Sequence, residues 1–274
     1  MSTSLASDLK ADLCQQLSAS ADLAVNFLES KMQEDGSYGD ELTDIACYFK
    51  SPLMFLSAGR PDAAKRCLSY IVKHFFYPDS DFKTLGNIKS INPAYNEYWS
   101  YVNGWIIRAF NQLGMRELSS WATKYFNQFN VGQGIFLTQN LDITPRMTDV
   151  LTVAHHGLVN LENNEFETAF LAGSFLCEAF KKQPDLCAGF YLRFDLSGQP
   201  LKHCNYDQKP YYFVNAIEPN QLHFMIGYPA AFLAILYKNT NNLDFLNAAK
   251  GYLDFSLSCH ESVYTSKFSH KLAW

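Results

Sequence analysis

The sequence predicts an all-α protein built as a ring or array of helical hairpins, with a small β-hairpin inserted late in the chain. Three observations lead there. First, helical segments recur with similar punctuation: Glu34-Asp35-Gly36-Ser37-Tyr38-Gly39-Asp40, then Ser57-Ala58-Gly59-Arg60-Pro61-Asp62, then further short turns toward the C-terminus. Second, the connections alternate in length. They are short at 58–62, 113–115, 161–164 and 238–242, and long at 77–94, 131–146 and 183–218. Short links join antiparallel neighbours, so the long ones gather at the opposite end, where loops of that length tend to be functional. Third, one stretch abandons the helical period. Phe190-Tyr191-Leu192-Arg193-Phe194-Asp195-Leu196 alternates with period two, meets Ser197-Gly198, and has residues 200–206 as its return strand.

The elements follow in order. Residues 9–33 form a helix, because Leu9, Leu13, Leu17, Leu23, Phe27 and Leu28 approximate its period. The Asp-Gly-Ser-Tyr-Gly turn stops it, since glycine supplies helix-ending conformations. A second helix is expected over 41–58 with Pro52 as a kink, and a third over 62–76 with Pro61 near its first turn. Further helices are expected at 95–113, 115–130, 147–161, 164–182, 219–238 and 242–258, and a tenth begins near Lys267. We expect a single domain over 1–274, with 189–214 as an insertion or lid.

Composition narrows the function. Hydrophobic residues are 48% and charged residues 18%, which excludes a disordered chain. Aromatics are 15%, suiting an aromatic-walled cavity as well as a large aromatic core. The net charge is −5 and no basic cluster exceeds Lys181-Lys182, so no nucleic-acid partner is expected. The start carries Asp8, Lys10 and Asp12 without an apolar core, unlike a signal peptide. The apolar run around 224–237 is too short for a membrane span. Seven scattered cysteines without a CxxC pair read as reduced thiols in a cytoplasmic protein.

The stretch from Gln33 to Gly39, preceded by Ala24-Val25-Asn26-Phe27-Leu28 and followed by Thr43-Asp44, resembles the Gln-…-Asp-Gly-Ser-Trp-Gly repeat of the terpenoid (squalene) cyclase and protein-prenyltransferase β-subunit superfamily. Tyr38 stands where Trp is usual. The resemblance covers about 40 residues and implies an α/α toroid. It does not extend to that superfamily's chemistry. The cyclase Asp-x-Asp-Asp and Asp-Asp-x-x-Asp motifs are absent, Asp79-Ser80-Asp81-Phe82 being the nearest approach, and no Asp-x-Cys zinc pair occurs. Sugar epimerases and six-hairpin glycosidases use a similar toroid and stay in view, because fold alone is a weak warrant for function.

Candidate chemistry sits at the starts of the presumed inner helices. Asp149 and His156 are seven apart, two turns on one face, with His155 about 100° round. A histidine in a cavity titrates near neutrality and suits general acid–base work, although a core histidine bonded to a carbonyl has the same sequence signature. Asp44 and Tyr48 share a face, with helix capping as the plainer role for Asp44. Tyr98, Trp99 and Asn103 open the fourth helix as cavity lining or as hairpin packing. Tyr211 ends the insertion, and Gln221 and Tyr228 lie seven apart on the helix after it. No His-Glu-x-x-His, paired CxxC, Walker A or Gly-x-Gly-x-x-Gly pattern is present, so neither a metal nor a nucleotide cofactor is expected.

The expected activity is cofactor-independent proton transfer in an aromatic-lined cavity: an isomerase, cyclase or lyase acting in biosynthesis on a mainly apolar or unsaturated small molecule. His155, His156, Asp149, Tyr48 and Tyr211 are the catalytic candidates; Asp44, Tyr98, Trp99, Asn103, Gln221 and Tyr228 are the substrate-binding ones. A carbohydrate epimerase or glycosidase is the first alternative, with paired carboxylates such as Asp44 with Asp149 or Glu218 as its mark. A non-catalytic helical scaffold for a protein partner is the second. A homo-oligomer is compatible with a ring one helix short.

Overall fold

The computed structural model describes residues 2–39 and 43–274, the side chains of 2–10 and 206 aside. The protein is mostly helical, with three two-stranded sheets among the described residues. Among those residues no helix is long and apolar enough to cross a membrane. The chain divides into two compact units, Met1–Asn92 with Trp105–Ser120, and Pro93–Gly104 with Trp121–Trp274.

In the first unit, helix α1 spans Ser2–Lys31. The turn after it depends on Gly36, whose φ is +90° and where a Cβ would overlap the Arg66 carbonyl. Only glycine satisfies both demands. Asp35 accepts from the Ser37 N–H at 2.9 Å, and the Gln33 N–H donates to the Ser37 carbonyl at 2.7 Å. Tyr38 stacks on Tyr48 with ring centroids 5.3 Å apart, so the aromatic of the repeat-like segment serves packing. The helix expected over 41–58 is shorter in the structure. Its first two residues lie outside the described ones, Ile45–Cys47 is a single 3-10 turn, and α2 runs only over Ser51–Ser57. Pro52 initiates α2 instead of kinking a longer helix, because its missing N–H has no partner to lose in a first turn. Helix α3, Pro61–Phe75, starts at Pro61 and buries Ala63, Ala64, Cys67, Leu68 and Ile71 at helical spacing. Val25, Phe55, Ala63 and Ala64 join in one apolar core.

The long connection after α3 is organised by buried charge. The Lys89 ammonium donates to Asp81 at 2.6 Å and to the Phe82 carbonyl at 2.7 Å. Burial pushes its pKa down to about 8, with Asp81 opposing. Asp44 ties the same loop down, receiving the hydroxyls of Thr84 and Ser90 and the N–H groups of Ala46 and Ile91.

Helices α4, Tyr101–Gln112, and α5, Arg116–Phe126, are divided between the units. The second unit continues with strands β1 (Asn130–Gly132), β2 (Ile135–Phe136) and β3 (Thr148–Asp149), then α6 (Val150–Glu162) and α7 (Phe166–Lys181). Strands β4 (Gly189–Tyr191) and β5 (Arg193–Phe194), the single turn α8 (Lys209–Tyr212) and strand β6 (Phe213–Asn215) lead to α9 (Phe224–Thr240) and α10 (Leu243–Ser258). Helix α6 packs against α7 and α9, and α9 against α10. Every α6 residue from Val150 to Leu161 is buried, so this helix is central to its unit.

The insertion differs from the expected hairpin. Strand β4 pairs with β6 through Phe190 and Val214, while β5 pairs with β3 through Arg193 and Asp149. Of the local pairing expected with residues 200–206, one isolated bridge between Phe194 and Pro200 is present. Phe190, Leu192 and Phe194 are fully buried, whereas Lys202, His203 and Cys204 are exposed and polar. The return segment offers no apolar face, so the strand finds buried partners elsewhere. The tenth helix is also corrected: Lys267–Ser269 is one 3-10 turn that does not propagate.

Candidate functional site

Two segments of the second unit meet at a buried charge. Arg193 lies on the β5 face opposite Phe194, is fully buried, and donates through Nη2 to Glu97 Oε2 at 2.6 Å. Gln139 donates to the same oxygen at 3.0 Å. The guanidinium packs on the rings of Tyr212, Tyr211 and Tyr98 at 4.6, 5.7 and 6.0 Å from their centroids. Tyr98 and Tyr211 meet edge to face at 5.9 Å. Burial works against the Arg193 cation, but Tyr98, Asp149 and Glu97 together hold it more firmly than an ordinary arginine. Glu97, about one fifth exposed, gives this cluster its edge to solvent.

Asp149 pairs across the β3–β5 ladder with Arg193 and caps α6. Its carboxylate accepts from the Thr152 N–H at 2.7 Å and the Thr138 hydroxyl at 2.6 Å. Burial pushes its pKa up against the opposing pull of Arg193 and these hydrogen bonds. Tyr98 is raised well above the usual phenol, first by burial and then by Asp149. Burial, then Glu97, raises Tyr211.

The histidines are interior. His156 is sandwiched between Phe126 and Phe136, with centroids 3.7 and 4.4 Å away, and shares a 2.9 Å hydrogen bond with Ser100 through Nε2. Its Nδ1 is buried without a hydrogen-bond partner, and burial holds its pKa well below the usual value. Burial thus favours its neutral form. His155 meets the Tyr228 hydroxyl through Nδ1 at 2.7 Å and packs on Tyr101. Gly104 makes room for it, since a Cβ there would overlap the imidazole.

The other sequence candidates fall in separate places. Trp99 donates to the Tyr125 hydroxyl at 3.0 Å within a core that includes Phe129 and Leu137. Asn103 is fully buried. Tyr48 and Asp44 belong to the first unit; Tyr48 is fully buried there, and burial raises its pKa. Gln221 accepts from the Asn215 N–H at 3.1 Å, bracing β6 against the start of α9.

Gln221 also lines a cavity of 530 Å³ together with Asp207, Lys209, Pro210, Phe213, Glu218, Asn220 and Leu222. The lining thus combines two carboxylates, an ammonium and two amides with Pro210, Phe213 and Leu222. The cavity is built on the segment between β5 and α9, whose Tyr211 and Tyr212 rest on Arg193. The sequence pattern did not single out Arg193, Glu97 or Lys209. The one available signal was an arginine within an apolar alternating strand, a position that reads as solvent-facing until its partners are known. Among the described residues no group of three His, Cys, Asp or Glu side chains gathers in a metal-holding arrangement.

No family model and no curated protein matches the sequence. Among solved structures, one described as the crystal structure of D-mannose isomerase is similar, with a TM-score of 0.53 at 14% identity over 83% of this chain and 61% of that chain. The chain thus spans less than two thirds of that protein, and at this identity the likeness concerns the fold.

Proposed function

We propose that the protein is an isomerase, built as an α/α toroid, that moves a proton between neighbouring carbons of a polyhydroxylated, sugar-like substrate. The observation that carries this reading is the cavity at 207–222, which gathers the hydrogen-bonding side chains of Asp207, Lys209, Glu218, Asn220 and Gln221 beside Pro210, Phe213 and Leu222. Carboxylates and amides match hydroxyl groups, and an aromatic face matches the C–H face of a sugar. The likeness to an isomerase fold supports the reaction class, and the five hydrogen-bonding side chains favour a sugar over the mainly apolar substrate expected from composition.

In this reading one carboxylate, Asp207 or Glu218, takes the proton from the carbon beside the carbonyl. Lys209 stabilises the enediolate oxygen, the proton of the neighbouring hydroxyl passes to the former carbonyl oxygen, and the protonated acid delivers its proton to the former carbonyl carbon. Tyr211 stiffens the wall through Arg193 and Tyr98. His155, His156 and Asp149 hold α6 in place and do not touch substrate.

The test is proton NMR of a panel of aldoses and ketoses in deuterium oxide, with D-mannose included because the similar structure bears that name. Deuterium entering at the carbon beside the carbonyl supports the proposal. Asp207→Asn and Glu218→Gln should each lower exchange about 100-fold or more, the usual scale for a general acid or base. Exchange and sugar interconversion both unchanged in the two variants, or both absent with every sugar, overturn it. Release of reducing sugar from glycosides without exchange would reassign the same carboxylates to hydrolysis.

A further inference from the structure

His223, the residue before the first turn of α9, is fully buried, and neither its Nδ1 nor its Nε2 has a hydrogen-bond partner. His155 and His156 differ, since each meets a hydroxyl. His223 follows directly on Gln221 and Leu222, and Glu218 and Asn220 stand just before them, so this short segment supplies half of the cavity's eight lining residues. The segment is lightly held. The Asn220 N–H donates to the Ser262 hydroxyl at 2.9 Å, the Gln221 side chain accepts from the Asn215 N–H at 3.1 Å, and residues 217–220 are exposed. Beyond it, Met225 to Pro229 are buried in the body of the unit.

A cation at His223 meets two obstacles. The ring would carry two N–H donors where no acceptor stands, and the α9 N-terminus adds its own positive end. The elements packed on α9 carry His155, His156 and Glu162 on α6, Glu167, Glu178 and Lys181 on α7, Asp244, Lys250 and Asp254 on α10, and Lys267, His270 and Lys271 in the C-terminal turns. None of these, nor Asp207, Lys209 or Glu218 of the cavity, bonds a His223 nitrogen, and burial is what lowers its pKa. Water relieves both obstacles, and the lightly held segment is the part of the surroundings that yields most easily. We propose that His223 is a proton-operated latch on the cavity: neutral, it stays packed and keeps 218–222 in the wall; protonated, it moves out to water and carries that segment with it. The latch rests on the geometry of this cavity and not on the reaction assigned to it, so amide exchange and sugar exchange can fail separately.

Hydrogen–deuterium exchange of the full chain at pH 7.5 and 5.5, corrected for the intrinsic pH dependence, tests it. The reporting amides are Asn215, Asn220, His223, Ile226 and Gly227, whose hydrogen bonds depend on the segment. At pH 5.5, one unit below the free imidazole value of about 6.5, their opening should rise about tenfold, while the amides of α7 stay protected. His223→Phe keeps a planar ring without a titrating nitrogen and should remove the rise, whereas His156→Gln should retain it. Circular dichroism checks folding; if His223→Phe is not folded, His223→Leu carries the test. No rise in the natural chain, a rise that persists without His223, or an equal rise across α7 overturns the latch.

Discussion

Replacing Arg193 by methionine removes the cation on which the second unit's charged cluster is organised. Methionine keeps much of the side chain's apolar volume, so the effect isolates charge and hydrogen bonding from cavity formation. Arg193 is fully buried and bonded to Glu97 at 2.6 Å, and its charge also opposes the upward shift of Asp149. Removing one partner of a buried ion pair costs about 3–5 kcal/mol, and because Glu97 keeps partial contact with water the expected loss is about 2–4 kcal/mol. For a chain of this size that lowers Tm by about 4–16 °C. The assay is urea denaturation at pH 7, followed by near-ultraviolet circular dichroism of the tyrosines around Arg193. Two compact units need not unfold together, so the signal must come from the affected one. The double variant with Glu97→Gln should lose less than the sum of the singles, leaving a coupling of about 1–3 kcal/mol. A loss below about 1 kcal/mol in the single variant, or additivity within about 0.5 kcal/mol, would refute the view that the pair anchors this cluster.

Gly104→Ala should destabilise by about 1–3 kcal/mol or more, because the new methyl meets the His155 imidazole in a packed interior; urea midpoints measure it, and a neutral result would mean the imidazole moves freely. Asp149→Ala removes the α6 cap and should cost about 2 kcal/mol, the upper end for such caps, while Asp149→Asn, which retains an acceptor, should cost less; equal losses would show that the cap is not the source. Acidification should weaken the fold through His156. Its folded pKa lies below the unfolded value near 6.5, so the unfolded chain takes up the proton first and stability falls as pH drops through that value. The contribution is about 1.4 kcal/mol per pH unit below 6.5 until the folded pKa is reached, and His156→Gln should flatten that slope in denaturation curves at pH 7, 6 and 5. Asp149 acts in the opposite sense. Its raised folded pKa gives stability that is complete below the unfolded carboxylate value and is lost as pH rises through the folded one, so Asp149→Asn should steepen the decline toward acid.

Local physics made much of the helical framework legible. Apolar spacing marked the helices that became α1, α3, α6, α7, α9 and α10, because a 3.6-residue period is written in neighbouring residues. Gly36 could be assigned to a helix-ending turn, since only glycine tolerates that backbone. Pro52 was ambiguous, because a proline that begins a short helix and one that kinks a longer helix look alike in sequence. The strand pairing was not legible either: β4 and β5 took partners 24 and 44 residues away, Phe190 against Val214 and Arg193 against Asp149 across α6 and α7, for burial that no local pattern encodes. The candidate site divided along the same line. Tyr98, Tyr211 and Gln221 were singled out by residue type and by position at element ends, and they border the charged cluster or the polar cavity. His155 and His156 were singled out for titrating near neutrality, yet two phenylalanines and a tyrosine hydroxyl hold them in the interior. Whether a polar side chain faces solvent, substrate or another side chain depends on desolvation by distant segments. Sequence alone therefore determined the helical class and its punctuation, which rest on neighbours along the chain. Tertiary structure alone decided that Arg193 is buried against Glu97 and that Asp207 and Glu218 share a cavity, because those facts rest on neighbours in space.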